Sequence, residues 1–204
     1  YYERGTQNLR LHRQSVLEPG PYSRNKRKSP SSVKYCNIKY RDHSNGPGLR
    51  TSLFVSGCTR HCPGCFNPET WDFNNGDNFT ELTKEILLES LSPDYISGLS
   101  ILGGEPFEWD NQLELLFFLR DVKYFYPQKS VWLFTGFTYE ELLSKARYSV
   151  ITNGLLHLIN VLKDGSYIKE QHISGNHFYG SANQRLIDLP ASRSANSIVL
   201  WEST

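Results

Sequence analysis

Three of the four cysteines in this chain, Cys58, Cys62 and Cys65, fall within eight residues, and Cys36 stands apart from them. A disulfide framework spreads an even set of cysteines to close long loops, which three thiols in one short loop cannot do. They read instead as ligands converging on one metal centre. The segment is Gly57-Cys58-Thr59-Arg60-His61-Cys62-Pro63-Gly64-Cys65-Phe66-Asn67. Thiolates spaced four and three residues apart can each bond a different iron of a 4Fe–4S cubane, which leaves one iron without a protein ligand. An incomplete shell of that kind binds and activates a small molecule, as an open zinc site does. Pro63 and Gly64 keep the loop tight and let backbone come close to such a molecule. A structural zinc site with His61 or His43 as fourth ligand is the alternative that spacing leaves open. His61, however, adjoins Cys62 and is hard to bring into an unstrained tetrahedron with it.

The rest of the chain is that of a folded domain with a polar leader. Residues 1–33 hold seven basic and two acidic side chains, a balance of +5, so the remaining residues carry −4 within a net charge of +1. A mildly acidic body makes no case for nucleic acid as partner. The longest apolar runs, such as Leu113 to Leu119, fall far short of the roughly 18 residues of a membrane span, and no stretch has the layout of a signal peptide. The expected location is the cytoplasm. Residues 1–32, with Pro19, Pro21, Pro30 and the cluster Arg24-Asn25-Lys26-Arg27-Lys28, read as a disordered basic leader. The chain has no methionine, even at position 1, so the native start is expected elsewhere.

From Val33 onward strands alternate with helices. Strands are predicted over 35–40, 49–55, 98–102, 131–135 and 156–162, and helices over 79–91, 113–125 and 139–146, the first capped by Thr80 with Thr83. Residues 33–190 form the expected domain, and 191–204 a C-terminal tail. Alternation of this kind implies right-handed crossovers and a mostly parallel sheet. The units are too few for an eight-fold barrel, so the expected fold is α/β, an open or partial (β/α) barrel. Ligands collect at the carboxyl ends of such strands. The cysteine loop and the turn Gly103-Gly104-Glu105-Pro106 each follow a strand and are expected to meet on one rim.

With the Cys-x-x-x-Cys-x-x-Cys loop after an early strand, this chain resembles the radical S-adenosylmethionine (SAM) superfamily. Further strings narrow the likeness: Asn45 to Cys58, Cys62-Pro63-Gly64-Cys65-Phe66-Asn67 with Thr70-Trp71 behind it, Val131 to Phe137, and Gly180-Ser181-Ala182-Asn183-Gln184-Arg185. Over about 33–189 the chain is similar to anaerobic ribonucleoside-triphosphate reductase activating proteins, which makes Val33 the expected start. The resemblance implies a barrel of the radical SAM type in which Cys58, Cys62 and Cys65 hold a 4Fe–4S cluster. SAM would be contacted by Gly64, Cys65, Phe66, Gly103, Gly104 and Glu105. Phe66 would pack on the adenine; a core aromatic beside the loop is the competing reading.

The implied activity is reductive cleavage of SAM, yielding a radical that takes a hydrogen from a backbone glycine of the reductase large subunit. The implied partners are that subunit, a low-potential electron donor such as flavodoxin, and a second copy of the chain in a homodimer. Asn160, Lys163 and Tyr179 depart from the family pattern, and no physical role is evident for Asn183, Gln184 and Arg185. The other readings are an activase of another glycyl-radical enzyme of the pyruvate formate-lyase type, a small base-modifying relative, or a non-catalytic zinc or iron–sulfur module. Cys36 reads as an inert thiol on the first strand.

Overall fold

The computed structural model describes residues 33–175 and 178–202; the leader expected over 1–32 lies outside them. The strands are β1 (Lys34–Asp42), β2 (Leu49–Val55), β3 (Asp77–Asn78), β4 (Ile96–Gly103), β5 (Ser130–Phe134), β6 (Val161–Asp164) and β7 (Arg185–Asp188). The helices are α1 (Glu81–Ser90), α2 (Trp109–Phe125), α3 (Tyr139–Ala146), α4 (Val150–Leu158) and α5 (Leu189–Ala195). One sheet joins all the strands in the order β3-β1-β2-β4-β5-β6-β7. The central four, β2, β4, β5 and β6, are parallel, while β1 and β7 pair antiparallel at either side. The α/β class and the largely parallel sheet are therefore as expected.

Local chemistry starts the helices where they begin. Thr80 and Thr83 exchange side-chain and backbone hydrogen bonds in a capping box at α1, and Thr138 with Glu141 does the same at α3. Residues that alternate along each strand then sort between two faces. Leu53, Val55, Leu99, Ile101 and Leu133 point to one face, where they are buried with Leu115 and Leu119 of α2 in the main core. The opposite face carries Arg50, Ser52, Ser100, Trp132 and Lys163, and a smaller cluster of Trp132, Val161 and Leu186 packs there against Phe178 and Trp201.

Arg50 is fully buried on that second face. Its Nε donates to Ser100 Oγ at 2.8 Å, and its Nη atoms donate to Ser130 Oγ at 2.9 Å and to the carbonyls of Leu99 and Ser130 at 2.8 Å each. Its guanidinium lies 5.5 Å from the centre of the Trp132 ring. All four acceptors are neutral, so burial brings its pKa down to about 9 despite the nearby Asp42.

One expectation needs correction. The strand predicted over 156–162 is split: α4 runs to Leu158, and β6 starts only at Val161. The apolar run Leu155-Leu156 and Leu158-Ile159 fits a buried strand or a buried helix equally well, and the Ser149 side chain, which accepts from the Thr152 amide, settles it as a helix. The tail expected from residue 191 is packed. α5 is capped by Asp188, Leu200 bridges Ile187, and Trp201 meets Trp132 edge-on at 4.8 Å. Among the described residues no helix is long and apolar enough to cross a membrane.

Candidate functional site

Because β2, β4, β5 and β6 are parallel, the loops that follow them share one rim. These are the cysteine loop, the Gly103-Gly104-Glu105 turn, Thr135-Gly136 and Gly165-Ser166. They surround a cavity of about 710 Å³, lined by Cys58, Cys62 and Cys65 together with Gly103, Gly104 and Glu105. The expected meeting of the two motifs on one rim is thus observed. All four cysteines are free thiols.

The glycine pair makes the meeting sterically feasible. The Gly103 backbone has φ of 104°, and a Cβ on Gly104 would sit 2.5 Å from the Gly57 carbonyl oxygen. In that close approach the Gly104 amide donates to Val55 O at 2.7 Å and the Glu105 amide to Gly57 O at 2.8 Å. Asn111, buried in the first turn of α2, donates from Nδ2 to Ser56 O at 2.9 Å and to Glu105 O at 3.0 Å, tying both motifs to the helix.

Four attachments hold the cysteine loop. Gly57 and Cys58 donate their amides to Thr70 O and Trp71 O at 2.8 and 3.1 Å. Thr59 donates from its amide and its hydroxyl to Glu108 Oε1 at 2.8 and 2.6 Å. Arg60 donates from Nε and Nη2 to Ser166 Oγ at 3.0 and 2.6 Å and lies 4.6 Å over the Phe137 ring. His61 stacks on Trp71 with ring centres 4.6 Å apart.

The thiols differ in surroundings. Burial pushes the Cys58 thiol up to about 11, with Glu105 and Glu108 adding to it and the amides of Arg60 and His61 opposing it. The Cys65 sulfur accepts from the Asn67 amide at 3.4 Å. Among the described residues no three His, Cys, Asp or Glu side chains gather at the spacing of a single metal ion. Zinc would need its sulfurs ~4 Å apart, given Zn–S bonds of about 2.3 Å. A cubane places its thiolates on separate irons and makes no such demand. The donor set fits the larger group: three free thiols on one cavity wall, with a backbone amide aimed at one of them.

Phe66 is 64% exposed, so it is not a core aromatic; its ring stands 5.0 Å from Tyr167 at the cavity edge. Gly64, with φ of 75°, faces the side chains of Tyr167 and Lys169. Glu105 lines the cavity but is only 1% exposed, and its carboxylate is engaged by protein. Oε1 accepts from the Phe107 amide at 2.9 Å and Thr135 Oγ1 at 2.7 Å, and Oε2 from the Gly136 amide at 2.8 Å. Burial raises its pKa against these bonds.

The Gly-Ser-Ala-Asn-Gln-Arg string acquires a role that the sequence did not disclose. Asn183 Nδ2 donates to Ser166 O and Gln184 Nε2 to Gly165 O, both at 2.8 Å, while Arg185 binds Asp164 and Glu140. The string therefore clamps the turn after β6 and holds Ser166 under Arg60. Cys36, whose sulfur is 3.0 Å from Ser56 Oγ, does not line the cavity. Asn160 sits at the other end of β6, where Oδ1 accepts from the Val131 amide and from Lys123. Lys163, by contrast, lines the cavity.

Residues 44–187, which include the cysteine loop and the strands that carry its rim, match the family model of a 4Fe-4S single cluster domain. An anaerobic ribonucleoside-triphosphate reductase-activating protein of Vibrio cholerae is 39% identical over 145 residues, 70% of this chain and 90% of that protein. Proteins of the same name from Haemophilus influenzae and Escherichia coli are 38% and 36% identical, over 74% and 70% of this chain and 96% and 90% of theirs. The chain belongs to the family of anaerobic ribonucleoside-triphosphate reductase-activating proteins.

Proposed function

We propose that this protein activates an anaerobic ribonucleoside-triphosphate reductase by generating a glycyl radical on its large subunit. The observation that carries the reading is the set of free thiols Cys58, Cys62 and Cys65 on one cavity wall, in a chain of that family. The four parallel strands and their cavity-bearing rim support a partial (β/α) barrel of the radical SAM type. The three cysteines would hold a 4Fe–4S cluster, whose chemistry when bound is one-electron reduction of SAM.

The chain's own residues bind, orient and exclude water. Gly103 and Gly104 bring the β4 turn against the cysteine loop; Cys65 and Phe66 line the cavity that would receive the cosubstrate, and Gly64 lets the loop turn beside them. Glu105 presents a buried carboxylate edge whose bonds to Thr135 and Gly136 fix the β4 turn to the β5 turn. A low-potential donor such as flavodoxin, a cytoplasmic setting and a homodimer complete the reading. The test is to mix the reduced protein, SAM and a candidate reductase without oxygen and record the paramagnetic resonance spectrum. A glycyl-radical doublet that requires all three components is expected; its absence with a cluster-loaded protein overturns the reading.

A further inference from the structure

Four lysines have buried or partly buried ammonium groups worth comparing. Lys84 Nζ donates to Glu81 and Glu114 at 2.9 and 2.7 Å. Lys123 donates to Lys129 O and Asn160 Oδ1 at 3.1 and 2.7 Å. Lys129 donates to the carbonyls of Pro93 and Ile96 at 2.9 and 2.6 Å. Lys163 makes no hydrogen bond or ion pair through its ammonium among the described residues; the nearest ring, Phe134, is 5.8 Å away. Its backbone is nevertheless fixed, since Lys163 O accepts from the Thr135 amide at 2.9 Å and Lys163 stands opposite Phe134 in the sheet.

The side chain opens into the cavity that holds the three cysteines. The anionic groups that act on it are Glu105, Asp164, Cys62 and Cys65, and burial brings its pKa down to about 8 against them. Asp164 is already paired with Arg185, and Glu105 is satisfied by three neutral donors. Lys163 is partly exposed in the cavity, and among the described residues no carboxylate pairs with its ammonium, so its charge is left uncompensated there. Cys62 and Cys65, as ligands of a bound cluster, would supply the missing anion.

We propose that Lys163 is the counter-charge of the cluster site, a positioning residue whose ammonium favours the reduced, more anionic cluster over the oxidised one. The inference rests on the cluster reading above. Its logic is Coulombic: a cubane held by three thiolates is anionic, gains a further negative charge on reduction, and a cation inside the same low-dielectric cavity stabilises the second state more. Lys163 thereby raises the cluster potential and eases entry of the electron from the donor.

The experiment is a redox titration of the reconstituted protein followed by paramagnetic resonance, comparing wild type, Lys163→Met and Lys163→Arg at equal iron and sulfide content. Lys163→Met is expected to make reduction roughly tenfold less favourable, about 59 mV for one electron, and Lys163→Arg to stay near wild type. An unchanged potential in Lys163→Met, or equal shifts in the two variants, overturns the proposal. So does a shift that appears only when SAM is present, which would assign the ammonium to the cosubstrate carboxylate. If Lys163→Met holds no cluster, Lys163→Gln is titrated in its place. Loss of cluster in both neutral variants with retention in Lys163→Arg supports the charge, and loss in all three overturns it. Failure of the cluster reading itself is seen separately, as wild-type protein without iron.

Discussion

Arg50 and Lys163 lie on the same face of the same sheet, one near the start of β2 and the other near the end of β6, and their surroundings are opposite. Arg50 donates four hydrogen bonds to neutral acceptors and rests on Trp132, so its charge is absorbed by the fold. Lys163 is fixed by its backbone, and its ammonium is left facing the cysteine-lined cavity. The comparison teaches that the two ends of one face do different work. The end at the strand amino termini is closed by internal hydrogen bonds and an aromatic plug, whereas the carboxyl rim opens into the cavity lined by the three cysteines and Lys163.

The sharpest way to separate the ends is through the rim. Cys62→Ala is expected to abolish cluster retention and SAM cleavage, while Cys36→Ala, at a sulfur that meets Ser56 and Asn75 away from the cavity, leaves both largely intact. Iron and sulfide analysis after anaerobic reconstitution measures this, and equal losses would make Cys36 a ligand. At the other end, Arg50→Met should lower the unfolding free energy by about 3 kcal/mol or more, because Ser100, Ser130 and two carbonyls lose their donor in a dry site. Urea unfolding of this variant with a near-normal midpoint would break the comparison.

The smallest expected effect concerns pH. Burial pushes the Asp42 carboxyl up, but hydrogen bonds from Ser52, Ser44 and Asn45 outweigh it and hold the pKa below the usual range. A lowered carboxylate contributes stability above its ordinary pKa and loses it as pH falls through the folded value. Asp42→Asn should therefore flatten the acid limb of a stability–pH profile by about 1 kcal/mol, leaving the rim untouched.

The parts of the molecule legible in the sequence are those written in short stretches. The cysteine loop, the glycine pair, β2, β4 and the threonine caps of α1 each depend on neighbours within a few positions. The helix α4 was obscured because an apolar run without alternation fits two periodicities. The clamp of Arg60 on Ser166 joins residues 106 positions apart, and Glu105 reaches Thr135 and Gly136 some 30 positions away. No local spacing announces such pairs. Lys163 was visible only as a departure from the family pattern; the sheet places it on the lining of the cavity that also holds the cysteines.

The proposed function requires that Cys58, Cys62 and Cys65 hold a cluster with one iron left for the cosubstrate. The most direct measurement is the paramagnetic resonance spectrum of the reduced, cluster-loaded protein with and without SAM. SAM is expected to change the cluster signal, because in the proposed reading it would bind at the iron that the three cysteines leave free. Identical spectra at saturating SAM would contradict that reading, because that iron would then already belong to a side chain.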